Sequence, residues 1–199
     1  MNKNVLICGV GGQGTVLASK LLASAHMRLG NVVHSAETIG MAQRGGSVTS
    51  HVRIGNEAYS PLIPLGKADV IMAFEPAEAV RNLDYLKDDG IVIVNSVPVK
   101  PTTESLHDTG YDGTVMIEYL KKVCKHLVVV DAGELCASLG SDRYFNVAVL
   151  GVLVGTKKLD IDEETVVAEI KERINARFVE TNLKALHIGI ETGGKYEVK

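Results

Sequence analysis

The sequence lacks tryptophan and has few cysteines and aromatic residues. Its 199 residues include no Trp, three Cys and 5% aromatic side chains, and the net charge is −3. With neither a basic surface nor aromatic rings to stack on bases, the chain has no features of a nucleic-acid-binding protein. The apolar stretch before the first glycines is too short for a signal peptide or a membrane span. Widely spaced cysteines suit a reducing compartment, so we expect a cytoplasmic protein. Together these features predict that the chain binds neither nucleic acid nor membrane.

The usual ligand sets for metal ions and iron–sulfur clusters are also missing. The cysteines, Cys8, Cys124 and Cys136, are far apart and form no C-x-x-C motif. A 4Fe–4S cluster needs four thiolate ligands, so this chain cannot hold one alone. The histidines show no spacing typical of zinc sites, and no G-x-S-x-G motif marks a serine nucleophile. We therefore expect no metal site and no cofactor bound by this chain alone, and the sequence identifies no catalytic residue.

A glycine-rich turn separates an apolar run, residues 5–8, from a helical pattern over residues 16–25. The turn contains Gly9, Gly11, Gly12, Gln13 and Gly14. In a dinucleotide-binding enzyme, such a turn lets a pyrophosphate approach the N-terminus of the helix. That fingerprint also needs an acid at the end of the second strand, and Glu37 lies slightly beyond the expected end of that strand. Two interpretations stay open, a nucleotide site or a tight turn that packs helix against sheet.

A second glycine-rich turn precedes a strand that is polar on one side only. The turn contains Gln43, Arg44, Gly45, Gly46 and Ser47. In the strand that follows, the polar side chains Ser47, Thr49, His51 and Arg53 alternate with Val48, Ser50, Val52 and Ile54, which gives two different faces. A guanidinium beside exposed backbone N–H groups suits a carboxylate, a phosphate or a protein partner. The alternative is a hairpin corner that carries a solvated arginine.

Taken together, the two turns and their flanking segments resemble one protein family. The segments GVGGQGTVLASKLLASAH, residues 9–26, and ETIGMAQRGGSVTSHVRIG, residues 37–55, are similar to the gamma-type domain of the 2-oxoacid:ferredoxin oxidoreductases. Within that family they look most like the small (beta) subunits of the indolepyruvate:ferredoxin oxidoreductase group. The similarity continues through residues 59–63 and 68–71 and extends weakly to residues 182–189.

The resemblance implies that this chain is one subunit of an oxygen-sensitive complex. Such a complex decarboxylates an aryl pyruvate, forms an acyl-CoA and passes the electrons to ferredoxin, with CoA as co-substrate. In the family, thiamine diphosphate, its Mg²⁺ and the 4Fe–4S clusters belong to the large partner subunit. We therefore expect an accessory subunit whose two turns form one surface that meets the large subunit, the CoA, or both. Without its partner, the isolated chain is expected to be inactive and to self-associate.

Two other functions stay open on the residues alone. The glycine turn is compatible with a stand-alone NAD(P)-dependent dehydrogenase, and also with a small nucleotide-binding regulatory module that performs no chemistry. Micromolar binding of NADH by the pure chain would favour the dehydrogenase.

The alternation of predicted strands and helices indicates a single α/β domain over residues 1–199. We expect a three-layer α/β/α sandwich with a mixed, mostly parallel sheet, a Rossmann-like glycine turn after the first strand and a helical C-terminal third. Strands are predicted at residues 5–8, 31–35, 47–54, 57–60, 70–74, 91–94 and 127–130. A two-residue turn at Gly55-Asn56 is expected to pair residues 47–54 with residues 57–60 as an antiparallel hairpin.

Helix signals are clearest in three places. Glu75 and Pro76 are predicted to begin a helix that ends near Gly90. A later helix starts at Ser141 or Asp142, and its segment 149–154 is apolar on nearly all sides, so we expect that segment to lie partly in a subunit interface. Asp162 is predicted to cap the next helix, with Glu169 on its solvated face.

Several polar residues are expected at the carboxyl ends of the strands, namely Glu37, Glu75, Asn95 and Asp131. A catalytic carboxylate pair is conceivable there, but helix caps and turns are the preferred interpretation. Residues 98–113 are predicted to form a surface connection, with a lid as the alternative.

Overall fold

The computed structural model describes residues 2–39, 45–56, 59–100 and 110–196. Within these ranges six strands form one sheet: β1 Lys3–Val10, β2 Val33–Ile39, β3 Ser47–Ile54, β4 Ala68–Ala73, β5 Leu86–Asn95 and β6 His126–Val130. The α-helices of the same ranges are α1 Thr15–Arg28, α2 Pro76–Arg81, α3 Thr114–Val123, α4 Ala132–Cys136, α5 Phe145–Gly155, α6 Glu163–Arg173 and α7 Ala176–Gly193. The predicted helical C-terminal third is confirmed.

The sheet is mixed, with strand order β2-β3-β1-β4-β5-β6. Strands β1, β4, β5 and β6 are parallel neighbours, whereas β3 is antiparallel to both β1 and β2. The inner parallel strands are continuous apolar runs and are buried over residues 70–73 and 91–94, as expected for strands that are covered on both faces. The predicted mixed, mostly parallel sheet is confirmed.

Helices cover the two faces of the sheet unequally. Helices α1 and α5 pack on one face, with α4, α6 and α7 extending that layer, and they share a core with Val5, Ile7 and Val70. Helices α2 and α3 cover the other face, where Leu6 and Ile71 are buried. The main sheet contacts of α2 and α3 are with β1, β4, β5 and β6, so both helices lie mainly over that part of this second face.

The antiparallel part of the sheet does not come from the predicted hairpin. Residues 57 and 58 lie outside the described residues, and Tyr59 and Ser60 are not in a strand. Instead, β3 pairs with β2, which runs to Ile39 and is longer than the strand predicted at residues 31–35. The predicted strand is too short because the second half of β2 has no apolar run. Pairing with β3 stabilises this half of β2, which has little intrinsic preference for a strand.

Helix α2 begins with its proline as predicted but ends earlier. The Glu75 carboxylate caps the helix by accepting a hydrogen bond from Glu78 N (3.0 Å). The helix ends at Arg81 and not near Gly90, because Asn82 Nδ2 donates to the Glu78 carbonyl oxygen (2.8 Å) and closes the last turn. The residues predicted for its final turn belong to β5.

Helix α5 lies in the middle of its layer, and the predicted interface role of residues 149–154 is wrong. Every residue of α5 is buried by other parts of the same chain. The helix contacts α1, α4 and α7 as well as strand β5. Its apolar surface is therefore covered within the subunit. In the part of the chain that the structure describes, no helix is long and apolar enough to span a bilayer.

Helices α5 and α7 cross with their backbones in direct contact. Glycine occupies each contact position: Gly151 and Gly155 on α5, and Gly189 and Gly193 on α7. A Cβ atom on Gly189 would lie 1.9 Å from the Ala148 carbonyl oxygen, and Cβ atoms at the other positions would lie 2.1–2.3 Å from backbone oxygens. A side chain at any of these positions would push the two helices apart.

Helix α6 carries one acidic side chain on the side opposite to that predicted. Asp162 caps the helix as expected, accepting a hydrogen bond from Thr165 N (2.7 Å). Glu169, expected on the solvated face, is only 2% exposed. Its carboxylate accepts hydrogen bonds from Arg28 Nε of α1 (2.6 Å) and from Arg173 Nε (2.6 Å). These guanidinium groups compensate the buried charge.

Replacing Gly189 by alanine should destabilise the fold strongly. The added methyl group would overlap the Ala148 carbonyl oxygen, and a contact between two backbones cannot relax without loss of packing. We expect the free energy of unfolding, measured by urea denaturation, to fall by about 3 kcal/mol. Gly194→Ala is the matched control, because its Cβ would meet nothing closer than 3.4 Å and its stability should stay within about 0.5 kcal/mol of wild type. Equal stability of the two variants would contradict the close crossing.

The stability of the protein should also depend on pH through His26 of α1. This side chain is 0% exposed, and both ring nitrogens lack a hydrogen-bond partner among the described residues. Burial lowers the pKa of His26, and the Asp160 carboxylate offsets this only in part. The unfolded chain therefore takes up a proton below about pH 6.5 that the folded protein does not, so the free energy of unfolding falls as the pH drops below that value.

His26→Leu should remove this contribution, which amounts to at most about 1.4 kcal/mol per pH unit. The measurement is the urea unfolding free energy of wild type and variant at several values between about pH 7 and about pH 5. If the unfolding free energy of the two proteins changes in parallel with pH, His26 has the same pKa in the folded and the unfolded chain, which would contradict this prediction.

Candidate functional site

The two predicted turns lie side by side at the carboxyl edge of the parallel strands. Antiparallel pairing of β1 and β3 continues to the last residue of β1, which brings the turn after β1 beside the turn before β3. Gly11 N donates a hydrogen bond to Gly46 O (2.8 Å), and Gly45 N donates to Gly11 O (3.5 Å). Gln43 and Arg44, the other predicted members of the second turn, lie outside the described residues.

The side chain of Gln13 fills the inner side of the first turn. Its Oε1 accepts a hydrogen bond from Val10 N (2.7 Å), and its Nε2 donates to Phe74 O just after β4 (2.9 Å). A Cβ atom on Gly9 would lie 2.7 Å from Gln13 Oε1 and 2.9 Å from Phe74 Cβ, so this arrangement requires glycine at position 9. The Gln13 side chain thus joins the turn to the end of β4.

The last glycine of the first turn makes room for a side chain from α5. Gly14 has a φ of +83°, and a Cβ atom on it would lie 2.5 Å from Asn146 Nδ2. Asn146 is buried, and it packs over the start of α1. Gly12 has a φ of +104°, but an added Cβ would meet no atom within 4 Å, so this position faces open space. Backbone conformation favours glycine at both positions, and packing requires it only at Gly14.

This geometry does not favour a dinucleotide site. In such a site the second strand lies beside the first, but here β3 separates β2 from β1. Glu37, the candidate ribose ligand, lies within β2, and its Oε1 accepts a hydrogen bond from Ser19 Oγ of α1 (3.4 Å). Gln13 fills the inner side of the turn and Asn146 the space beside Gly14, whereas Gly12 faces open space. The alternatives of a stand-alone dehydrogenase and a nucleotide-binding module are therefore not favoured.

Ser47 joins the second turn to helix α2. Ser47 Oγ donates to Glu78 Oε2 (2.6 Å), and the other carboxylate oxygen of Glu78 pairs with Arg81. Glu78 is only 3% exposed, so these two partners compensate for its lost hydration. Glu78 was not among the predicted site residues. Its position three residues after the cap Glu75 is typical of a first helical turn, and no local pattern signals its contact with Ser47.

Tyr111 connects residues 110–113 to the start of α2. Its hydroxyl donates a hydrogen bond to the Glu75 carboxylate and accepts one from Ala77 N (3.2 Å). Burial raises the pKa of Tyr111, and the Glu75 carboxylate raises it further, so the phenol stays protonated and remains a donor. Within the connection predicted at residues 98–113, positions 101–109 lie outside the described residues.

Cys8 lies beneath these acids and is not a reactive thiol. It is 0% exposed, and its Sγ donates to the Glu78 carbonyl oxygen (3.5 Å). Burial raises the pKa of the Cys8 thiol strongly, and the carboxylates of Glu78 and Glu75 raise it further. Burial likewise raises the pKa of Cys136 to about 11. Because the thiolate is the nucleophile and the metal ligand, these neutral thiols have a packing role.

The other polar residues at this edge bind backbone groups. Asn95 Oδ1 accepts a hydrogen bond from Ala132 N (3.1 Å), and Asp131 caps α4 by accepting one from Glu134 N (3.0 Å). With Glu75 also acting as a cap, the helix-cap interpretation is confirmed for Glu75 and Asp131, whereas Glu37 lies within β2 and caps no helix. In the described ranges, no group of three or more His, Cys, Asp or Glu is arranged to hold a metal ion.

Known proteins are similar to this chain in sequence and in fold. It is 42% identical, over 190 residues, to the indolepyruvate oxidoreductase subunit IorB of Archaeoglobus fulgidus, a match that covers 95% of this chain and 94% of that subunit. The pyruvate oxidoreductase subunit PORC of Thermotoga maritima has the same fold, with a TM-score of 0.71 at 24% identity over 96% of each chain.

A third protein contains this fold as part of a longer chain. The 2-oxoglutarate:ferredoxin oxidoreductase of Magnetococcus marinus, solved with 2-oxoglutarate, coenzyme A and succinyl-CoA bound, gives a TM-score of 0.75 at 19% identity. That match covers 100% of this chain and 32% of the longer one. Residues 4–192 match the sequence pattern shared by pyruvate ferredoxin/flavodoxin oxidoreductases. This chain belongs to the pyruvate ferredoxin/flavodoxin oxidoreductase family.

Proposed function

We propose that this chain is the accessory small subunit of an indolepyruvate-type 2-oxoacid:ferredoxin oxidoreductase. The complex oxidatively decarboxylates an aryl pyruvate to an acyl-CoA and passes the electrons to ferredoxin. The choice of substrate class is supported by the 42% identity to an indolepyruvate oxidoreductase subunit over almost the whole chain. We propose further that residues 1–199 act as one domain, in the cytoplasm, where a reducing environment keeps the cysteines free.

The observation that carries this proposal is the self-contained glycine turn. Gln13 accepts a hydrogen bond from Val10 N and donates one to Phe74 O, so its side chain holds the inner side of the turn without a ligand. Asn146 occupies the space beside Gly14. A turn filled by the protein's own side chains supports a role in contacts with another subunit rather than in holding a cofactor.

The residues that the structure describes do not fit the cofactors of the family. Glu75 and Glu78 are the buried carboxylates beside the turns, and their oxygens already bind Tyr111, Ser47 and Arg81. The three free thiols cannot supply the four ligands of a 4Fe–4S cluster. We therefore assign thiamine diphosphate, its Mg²⁺ and the clusters to a larger partner subunit. Thiamine diphosphate supplies the carbanion chemistry there, and CoA enters as co-substrate.

We assign the contact with the larger subunit to the two turns and the neighbouring β2–β3 face. On that face Thr38 and Thr49 are cross-strand partners, and Thr38 is exposed and Thr49 half-buried. At the other end of β3, Arg53 donates to the backbone oxygens of Ser60 and Leu62, in a segment that exposes Tyr59 (94%) and Leu62 (53%). Exposed apolar and small polar side chains on one strand's face are typical of a protein interface. When the larger subunit is absent, a second copy of this chain is expected to cover the same face.

The isolated chain should be colourless and inactive toward indolepyruvate, because its residues hold neither the clusters nor thiamine diphosphate. Co-expression with a larger, cysteine-rich, thiamine-binding subunit should give a brown complex that reduces ferredoxin or a viologen dye in a CoA-dependent reaction. The measurements are the visible absorbance and the rate of dye reduction for each preparation. As a control, equilibrium dialysis of the pure chain against NADH should show no micromolar binding. Robust turnover by the isolated chain with any dye acceptor would refute the proposed role.

A further inference from the structure

Two hydrogen bonds link three segments at the carboxyl edge of the sheet. Gln13 Nε2 donates to Phe74 O (2.9 Å), which joins the first turn to the end of β4. Gly11 N donates to Gly46 O (2.8 Å), which joins the first turn to the second. Phe74 leads directly into the cap of α2. A bond between the second turn and α2 would therefore complete a closed series of contacts that joins the first turn, the end of β4, α2 and the second turn.

The bond between Ser47 and Glu78 completes this series of contacts. Ser47 Oγ donates to Glu78 Oε2 at 2.6 Å, a short distance typical of a hydrogen bond to a charged acceptor. Glu78 is 3% exposed and is held in place by its pair with Arg81 and by the helix itself. Ser47 is exposed and directly follows Gly46. The bond thus ties an exposed turn residue to a buried and well-fixed group.

The second turn depends on this anchor because its glycines have no side chains. Gly45 has a φ of +80°, a conformation that glycine adopts without strain but does not hold by itself. Ser47 is the first residue after these glycines whose side chain can fix the turn to another element. If that bond is lost, residues 45–47 sample more conformations and must be ordered when a partner binds, which weakens binding.

We propose that Glu78 is a positioning residue that acts through Ser47, holding residues 45–47, the described part of the second turn, in the conformation that the larger subunit binds. This inference rests on the proposed function, in which the two turns face that subunit. Glu78, a buried side chain of α2, would thus have a role in assembly that neither the low exposure of Glu78 nor its position in the sequence indicates.

A double-mutant cycle in the co-purified complex tests the role of this pair. The measured quantity is the affinity of each small-subunit variant for the larger subunit, by surface-immobilised binding. Ser47→Ala should weaken binding about tenfold, whereas Ser47→Thr keeps the hydroxyl and should stay within about threefold of wild type. Glu78→Gln keeps an acceptor but loses the charge, so it should weaken binding less than Ser47→Ala. The double variant should bind no more weakly than Ser47→Ala alone, because Glu78→Gln alters a bond that Ser47→Ala has already removed.

Thermal unfolding of each isolated variant separates positioning from folding. Glu118→Gln is the matched control, since it makes the same chemical change in an exposed pair with Lys121 of α3 (2.9 Å) and should alter neither affinity nor melting temperature. Ser47→Ala should melt close to this control while binding the partner more weakly. Wild-type affinity of Ser47→Ala, or fully additive effects in the cycle, would overturn the role of Glu78. Failure of the wild-type chains to form an active complex would instead overturn the proposed function.

Discussion

The close crossing of α5 and α7 determines how the helical layer meets the sheet. Glycines at the crossing let the two backbones touch. Helix α5, whose sequence is apolar on nearly every side, is therefore buried within the subunit. This position brings Asn146, near the start of α5, against Gly14 and over the start of α1. The turn after β1 is therefore shaped from two directions, by Asn146 from the helical layer and by Gln13 from within. A packing constraint in the C-terminal third thus sets the form of a site near the N-terminus.

The resulting edge of the sheet has the glycine pattern of a nucleotide site without its geometry. Strand β3 separates β2 from β1, and Gln13 and Asn146 pack against the first turn from its inner side and beside Gly14. What the edge offers is a surface of glycine backbone, with Gly11 and Gly46 in direct contact and buried anchors on either side. Such a surface needs little rearrangement when it binds, which suits a subunit that docks against a catalytic partner.

Local signals in the sequence predicted those elements whose formation depends on nearby residues. Strand β3 has the predicted bounds Ser47–Ile54, because the period-two alternation is a property of the strand itself. The errors arise where distant residues decide the outcome. Glu169 is buried because Arg28, far away in the sequence, pairs with it. The burial of α5 depends on glycines of α7, and the four-residue spacing of glycines in both helices is the signal that indicates such a crossing. Glu78 reaches Ser47 across 31 positions, and no local pattern reports that contact.

Hydrogen–deuterium exchange of the subunit, alone and in the active complex with its larger partner, measures most directly whether the two turns form the contact surface. We expect slower amide exchange over residues 9–16 and 45–49 in the complex, because these backbone groups become shielded from solvent. Helix α6, which lies in the layer on the other face of the sheet, should exchange at the same rate in both states. Unchanged exchange at both turns in an active complex, or protection confined to the helical layer, would contradict the assignment of the turns to the subunit interface.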